Sequence, residues 1–173
     1  MNPDMNPDMD PDLDLSIDRI IRAPRKQVWD AWTQPARLAQ WWVPAPTLCR
    51  VERLDVRAGG GFVTLMSDDG ETYVPHLDAC FLVVDAYERI VFTNAIDSGW
   101  RPVGGPAPVA MTAEVVLRDH PDGTDYRVTV RHADPASREL HAELGFADGW
   151  GTTTAQLADV AERATTAEGR TEG

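Results

Sequence analysis

The segment from Pro135 to Ala164 constrains this chain more than any other. Leu140, Leu144, Ala147, Trp150, Thr154, Leu157 and Ala161 follow one another at intervals of three and four, the spacing of one helical face. No other stretch offers so long an apolar helical stripe. A single long stripe must be buried against a broad apolar surface, and the rest of the chain supplies strands. The expected solution is one long C-terminal helix lying across a curved sheet. Gly145, Gly149 and Gly151 fall inside the segment. Each costs ~1 kcal/mol against alanine in a helix interior, so close packing or a kink is expected there.

The strands read by alternation. Leu15–Arg22 is the first, Leu48–Arg57 the second. Ala58-Gly59-Gly60-Gly61 needs positive φ or a close backbone approach. Phe62–Met66 follows it, a strand, and neither a lysine nor a helix does, so a phosphate-binding loop is rejected. Ser67-Asp68-Asp69-Gly70 turns into a long strand, Glu71–Val84, interrupted or bulged near Pro75. A turn at Tyr87-Glu88-Arg89 leads to Ile90–Ile96. Asp97–Pro108, with Trp100 and three prolines, reads as a loop and a candidate lid. Val109, Met111, Ala113, Val115 and Leu117 alternate with polar residues, and so do Tyr126, Val128, Val130 and His132. With Pro121-Asp122-Gly123 between them they form a hairpin with one buried face.

Four of the six tryptophans fall between the first two strands. Pro24 suits a helix start, and Val28, Trp29 and Trp32 share a face opposite Arg25, Lys26 and Asp30. Pro35 opens a second short helix carrying Leu38, Trp41 and Trp42, ended by Pro44 and Pro46. Trp29 and Trp32 are expected to pack. Trp41 and Trp42 are adjacent and cannot share a face, so one packs while the other is open to a cavity or partner.

At 173 residues the chain is one domain, with a net charge of −12. Five of its 28 acidic residues lie in the first fourteen. The remaining 23 acids against 16 bases still leave −7. Such a surface favours solubility and argues against binding nucleic acid or anionic lipid. The expected organisation is a disordered acidic tail over 1–14, one domain over 15–164 and a flexible tail over 165–173. Cys49 and Cys80 lack metal-ligand spacing, so buried thiols are expected, with no metal and no cofactor. No apolar run is long enough to span a membrane and no signal peptide opens the chain, which leaves a cytoplasmic protein by elimination.

Read as residues, the order is strand, two short helices, about six antiparallel strands and one long helix. Arg22-Ala23-Pro24-Arg25 with Val28-Trp29-Asp30-Ala31-Trp32-Thr33 resembles the opening motif of the SRPBCC (START/Bet v-like) superfamily. The likeness is nearest to the group named after the activator of the heat-shock protein 90 ATPase homologue. It continues through Trp41-Trp42, Asp55-Val56-Arg57-Ala58-Gly59-Gly60, Glu88-Arg89-Ile90-Val91-Phe92, Gly123-Thr124 and Gly149-Trp150. The resemblance covers residues 15–164 and implies an α+β helix-grip fold: a curved antiparallel sheet of about seven strands wrapped round the C-terminal helix, enclosing a hydrophobic cavity. Superfamily members carry lipids, hormones or polyketides, and a few are cyclases or hydrolases. The eukaryotic co-chaperone has a further N-terminal domain that residues 1–14 do not replace, so the group's name does not imply chaperone activity.

The expected cavity lining is Trp41, Trp42 and Trp100, then Phe62, Thr64 and Met66 from one strand, and Phe92 and Asn94 from another. Met111 and Ala113, Tyr126, Val128 and His132 follow from the late hairpin, and Phe146, Trp150 and Thr154 from the helix. A mostly apolar surface with a few polar anchors suits a small hydrophobic or aromatic ligand without catalysis. Two alternatives stand beside it. His76 or His132 with Glu71 or Asp78 would serve acid–base chemistry of cyclase, dehydratase or hydrolase type. An exposed tryptophan patch at Trp41-Trp42 or Trp100 would serve protein interaction, such as a homodimer or a chaperone partner. No nucleophile motif is present. His120 and His141 are expected to be solvated.

Overall fold

The computed structural model describes residues 9–103 and 109–171. Seven strands form one antiparallel sheet: β1 (Asp14–Ile21), β2 (Leu48–Leu54), β3 (Gly61–Ser67), β4 (Val74–Asp85), β5 (Arg89–Thr93), β8 (Thr112–His120) and β9 (Gly123–Arg131). Their order across the sheet is β1-β9-β8-β5-β4-β3-β2. A separate two-stranded ribbon pairs β6 (Ile96–Asp97) with β7 (Arg101–Pro102). Helices α1 (Arg25–Thr33) and α2 (Pro35–Leu38) connect β1 to β2, the two edge strands. Helix α3 (Pro135–Glu143) leads into the long α4 (Phe146–Thr171), which packs on α1 and β1. This is the α+β helix-grip arrangement.

The alternation of the late hairpin sets its buried face. Ala113, Val115 and Leu117 on β8 and Tyr126, Val128 and Val130 on β9 are all buried, with Val115 paired opposite Val128. They join Trp32, Trp41, Phe62, Phe81 and Phe92 and the α4 residues Leu157, Ala158 and Ala161 in one core. Side chains of this size contribute about 1.5–3 kcal/mol each by leaving water. Trp32 sits at the centre, its ring centroid 4.8 Å from that of Trp41, 5.3 Å from Trp42 and 6.0 Å from Phe92. Arg25 and Lys26 on the opposite side of α1 make surface ion pairs with Asp119 and Asp30.

The glycine turn before β3 is a close approach. A Cβ on Gly60 would collide with the carbonyl oxygen of Asp55, while Gly60 O accepts from Phe81 N at 2.9 Å. Both cysteines are free thiols; Cys80 is buried and Cys49 half-buried, its pKa pushed up to about 11 by burial.

Three boundaries differ from expectation. The C-terminal segment is two helices. Gly145, at φ +94, breaks it, so α4 is rotated out of phase with α3. Ala147 is therefore exposed and Phe146 buried, and no α3 residue is buried. Gly149 and Gly151 have open space where a Cβ would lie, so close packing does not account for them. Asp134 starts α3 by accepting from Ser137 N at 2.8 Å, which holds its carboxyl below the usual range. At the tails, α4 runs on to Thr171, and residues 10–14 form a turn closed by Asp14 N to Asp10 O at 2.8 Å. Residues 1–8 of the expected acidic tail lie outside the described residues. Finally, part of the expected 97–108 loop is the β6–β7 ribbon, with Trp100 at its tip over Gly59; residues 104–108 lie outside the described residues.

Candidate functional site

A cavity of about 570 Å³ opens between the sheet and the α3–α4 junction, within the size range of small-molecule sites. Its inner wall is Trp42, whose ring meets Trp150 edge to face with centroids 6.0 Å apart. The sheet contributes Met66 from β3 and His76 and Leu77 from β4. Asn94, Val109 and Met111 close one side. The helices contribute His141, Leu144, Phe146, Trp150 and Thr153.

Local structure explains why these side chains converge. Trp41 and Trp42 divide their roles. Trp41 is 2% exposed and its indole N–H donates to Ala31 O at 2.9 Å, so it belongs to the core. Trp42 faces the cavity. Gln156 on α4 fixes the turn that carries both, donating to Trp41 O at 3.0 Å and Val43 O at 2.8 Å and accepting from Ala45 N at 2.8 Å. His76 owes its position to a β-bulge. Thr64 pairs with Leu77 and Leu65 with Pro75, so His76 is the extra residue. The bulge turns His76 onto the same face as Leu77, and both reach the cavity.

Few polar atoms of the lining are free. Asn94 uses both ends of its amide on the segment beside it, donating to Val109 O and accepting from Met111 N, each at 2.8 Å. Thr153 donates to Trp150 O at 3.2 Å. The two imidazoles remain. His76 Nδ1 lies 3.1 Å from Thr64 Oγ1. His141 Nδ1 lies 2.8 Å from His132 Nε2, and its ring stands edge-on to Phe146 at 5.2 Å. Both pKa values fall below the ordinary histidine range through loss of water around the ring, and at His141 also through the neighbouring His132. His76 sits at the rim of the cavity and keeps solvent contact.

The expected lining is only partly brought together. Trp42, Met66, Asn94, Met111, Phe146 and Trp150 meet at the cavity. Trp41, Phe62, Thr64 and Phe92 lie in the packed core beside it, as do Ala113, Tyr126, Val128 and Thr154. Burial there pushes the Tyr126 phenol far above its usual pKa. His132 is a layer behind, 6% exposed, with His141 between it and the cavity. Trp100 is 54% exposed and covers the Gly59 turn instead. His141 is not a solvated surface histidine: it is half-buried and lines the site. The break at Gly145 concealed it, because a continuous helix would point position 141 away from the sheet.

Among the described residues no group of three or more His, Cys, Asp or Glu is placed to hold a metal ion, and no helix is long and apolar enough to cross a membrane.

The profile of the family described as activator of Hsp90 ATPase homolog 1-like protein matches residues 22–162. The chain belongs to that family. An X-ray structure of a protein from Nitrosomonas europaea is 36% identical, with a TM-score of 0.81 over 91% of this chain and 99% of that one. Two solution structures share the fold at lower identity. The protein from Arthrobacter aurescens is 22% identical over 87% of each chain, with a TM-score of 0.74. The activator of Hsp90 ATPase homolog 1-like protein from Aeromonas hydrophila is 21% identical over 88% of this chain and 94% of its own, with a TM-score of 0.62. No curated protein matches the chain. Membership in the activator of Hsp90 ATPase homolog 1-like family thus accounts for the helix grip and leaves the activity to be argued from the cavity.

Proposed function

We propose that this protein binds a small, predominantly apolar, aromatic-containing molecule in the cavity beneath the α3–α4 junction. The observation that carries the reading is the lining itself. Trp42, Phe146 and Trp150 give flat apolar surface, Met66 and Met111 adapt to ligand shape, and two imidazoles supply the polar contacts. No carboxylate or phenol stands among the lining residues, so neither histidine has there the partner an acid–base enzyme would require. Trp41 and Trp42 are buried, so they offer no surface to a protein partner.

The test is native mass spectrometry and thermal shift against fatty acids, sterols and aromatic compounds, with tryptophan fluorescence as a second readout. A 1:1 complex that quenches Trp42 and Trp150 emission supports the reading. Absence of any complex or stabilisation across all three classes would overturn it.

A further inference from the structure

The two cavity histidines are each held by Nδ1, but by partners of opposite character. The Trp42 indole N–H donates to Thr64 Oγ1 at 3.2 Å. Thr64 is fully buried, and among the described residues the only acceptor its own hydroxyl hydrogen reaches is His76 Nδ1, at 3.1 Å. Buried hydroxyls place their hydrogen on an acceptor. His76 Nδ1 is therefore the bare nitrogen, and in the neutral ring the proton sits on Nε2.

The other side runs in the reverse sense. Leu13 O receives both the backbone N–H of His132 at 3.1 Å and His132 Nδ1 at 2.8 Å. A carbonyl only accepts, so His132 Nδ1 carries the proton. In the neutral ring His132 Nε2 is then an acceptor, and it faces His141 Nδ1 at 2.8 Å. His141 Nδ1 must donate, which leaves His141 Nε2 as the bare nitrogen. Loss of water around both rings favours the neutral forms that this assignment uses. Nε2 of neither ring has a partner among the described residues.

We infer that the cavity presents one hydrogen-bond donor, His76 Nε2–H, and one acceptor, His141 Nε2, and that its ligand is a hydroxylated aryl carbonyl compound. The carbonyl oxygen accepts a hydrogen bond from His76 Nε2–H, the hydroxyl donates to His141 Nε2, and the aromatic frame lies against Trp42 and Trp150. This rests on the ligand-binding reading above and specifies its polar recognition. Thr64 and His132 are positioning residues: neither lines the cavity, and each fixes the tautomer of the histidine that does.

Two experiments test it on the full chain. The first needs no ligand: long-range nitrogen-15 NMR of the histidine side chains at pH 7.5, assigned with single histidine variants. The expected spectrum has the proton on Nε2 of His76 and on Nδ1 of His141. Thr64→Val should remove the bias at His76 while leaving His141 unchanged. A proton on Nδ1 of His76, or on Nε2 of His141, overturns the inference and leaves the ligand-binding reading standing.

The second compares 4′-hydroxyacetophenone with 4′-methylacetophenone, which lacks the hydroxyl, and 4-ethylphenol, which lacks the carbonyl; naphthalene serves as an apolar control. Loss of either group should weaken binding about tenfold, the size of one hydrogen bond. His141→Phe should abolish the preference for the hydroxyl and His76→Phe that for the carbonyl. Equal binding of the three oxygenated probes, or binding of naphthalene alone, overturns the inference. Failure of all four also overturns the inference, and the ligand-binding reading is then decided by the fatty-acid and sterol arms of its own test.

Discussion

Trp42 and Trp150 stand edge to face, their planes at 83°, so one wall of the cavity is a joint between the 41–46 turn and helix α4. Trp42 also touches Trp32, Trp41, Phe62 and Phe92. The same side chain thus serves the core and the cavity, whereas Trp150 is only half-buried. Trp42→Ala should cost about 3–5 kcal/mol in denaturant unfolding, as for other buried tryptophans. Trp150→Ala should cost clearly less, enlarge the cavity and weaken retention of an aromatic probe. Equal losses of stability would contradict this division.

Gln156 holds three backbone groups of the segment carrying the tryptophans. Gln156→Leu leaves them without their partner. At about 1 kcal/mol for each lost bond the expected loss is ~3 kcal/mol by urea denaturation. Gln156→Glu should be no better, because a carboxylate cannot donate to the Trp41 and Val43 carbonyls.

The glycines predict opposite signs. At Gly60 an added methyl meets the Asp55 carbonyl, which belongs to the backbone and cannot swing away. Gly60→Ala should destabilise by about 1–3 kcal/mol. Gly151, inside α4 with nothing near its Cβ position, should gain about 1 kcal/mol as Gly151→Ala. Thermal melts of the two variants, shifted in opposite directions, would check both.

Stability should fall below pH 6.5. His76 and His141 have folded pKa values beneath the ordinary 6.5. Above 6.5 folded and unfolded rings are both neutral and the two groups contribute no slope. As pH falls from 6.5 toward the lowered folded values, the unfolded chain takes up protons that the folded chain resists, and stability declines. Below the folded values the decline ends. His132 beside His141, and Asp134 near His132, are the titratable neighbours of that ring. The urea midpoint should therefore be lower at pH 5.5 than at pH 7.5 for wild type, with a smaller drop for His141→Phe. A rise toward acid would have the wrong sign.

The fold was legible because its signals are local and redundant. Val115 and Val128 are placed by two-residue alternation, α1 by Pro24 and the Trp29–Trp32 spacing, and the long helix by its period. The cavity was legible only where a side chain's face follows from such a period, as at Met66 and Met111. Where regularity breaks, periodic reasoning fails. The bulge at Pro75 puts His76 and Leu77 on one face, although Pro75 itself was a visible signal. The turn at Gly145 resets the helical phase, which exposes Ala147, buries Phe146 and brings His141 to the site. Phe62, Thr64 and Phe92 have the right alternation but lie too deep, a distinction of depth that alternation does not encode.

One contact gives the start of the chain a role beyond solubility. Leu13 lies just ahead of β1, and its carbonyl sets which nitrogen of His132 is protonated, hence what His141 offers a ligand. Truncation at this point is consequently not neutral. A chain trimmed before Asp10 retains the turn and the acceptor, while one beginning at Asp14 keeps every residue of the seven-stranded sheet yet releases both rings to reorient. Two such proteins would share the sheet and differ in the polarity of the cavity, so the choice of first residue determines which chemistry a binding screen would detect.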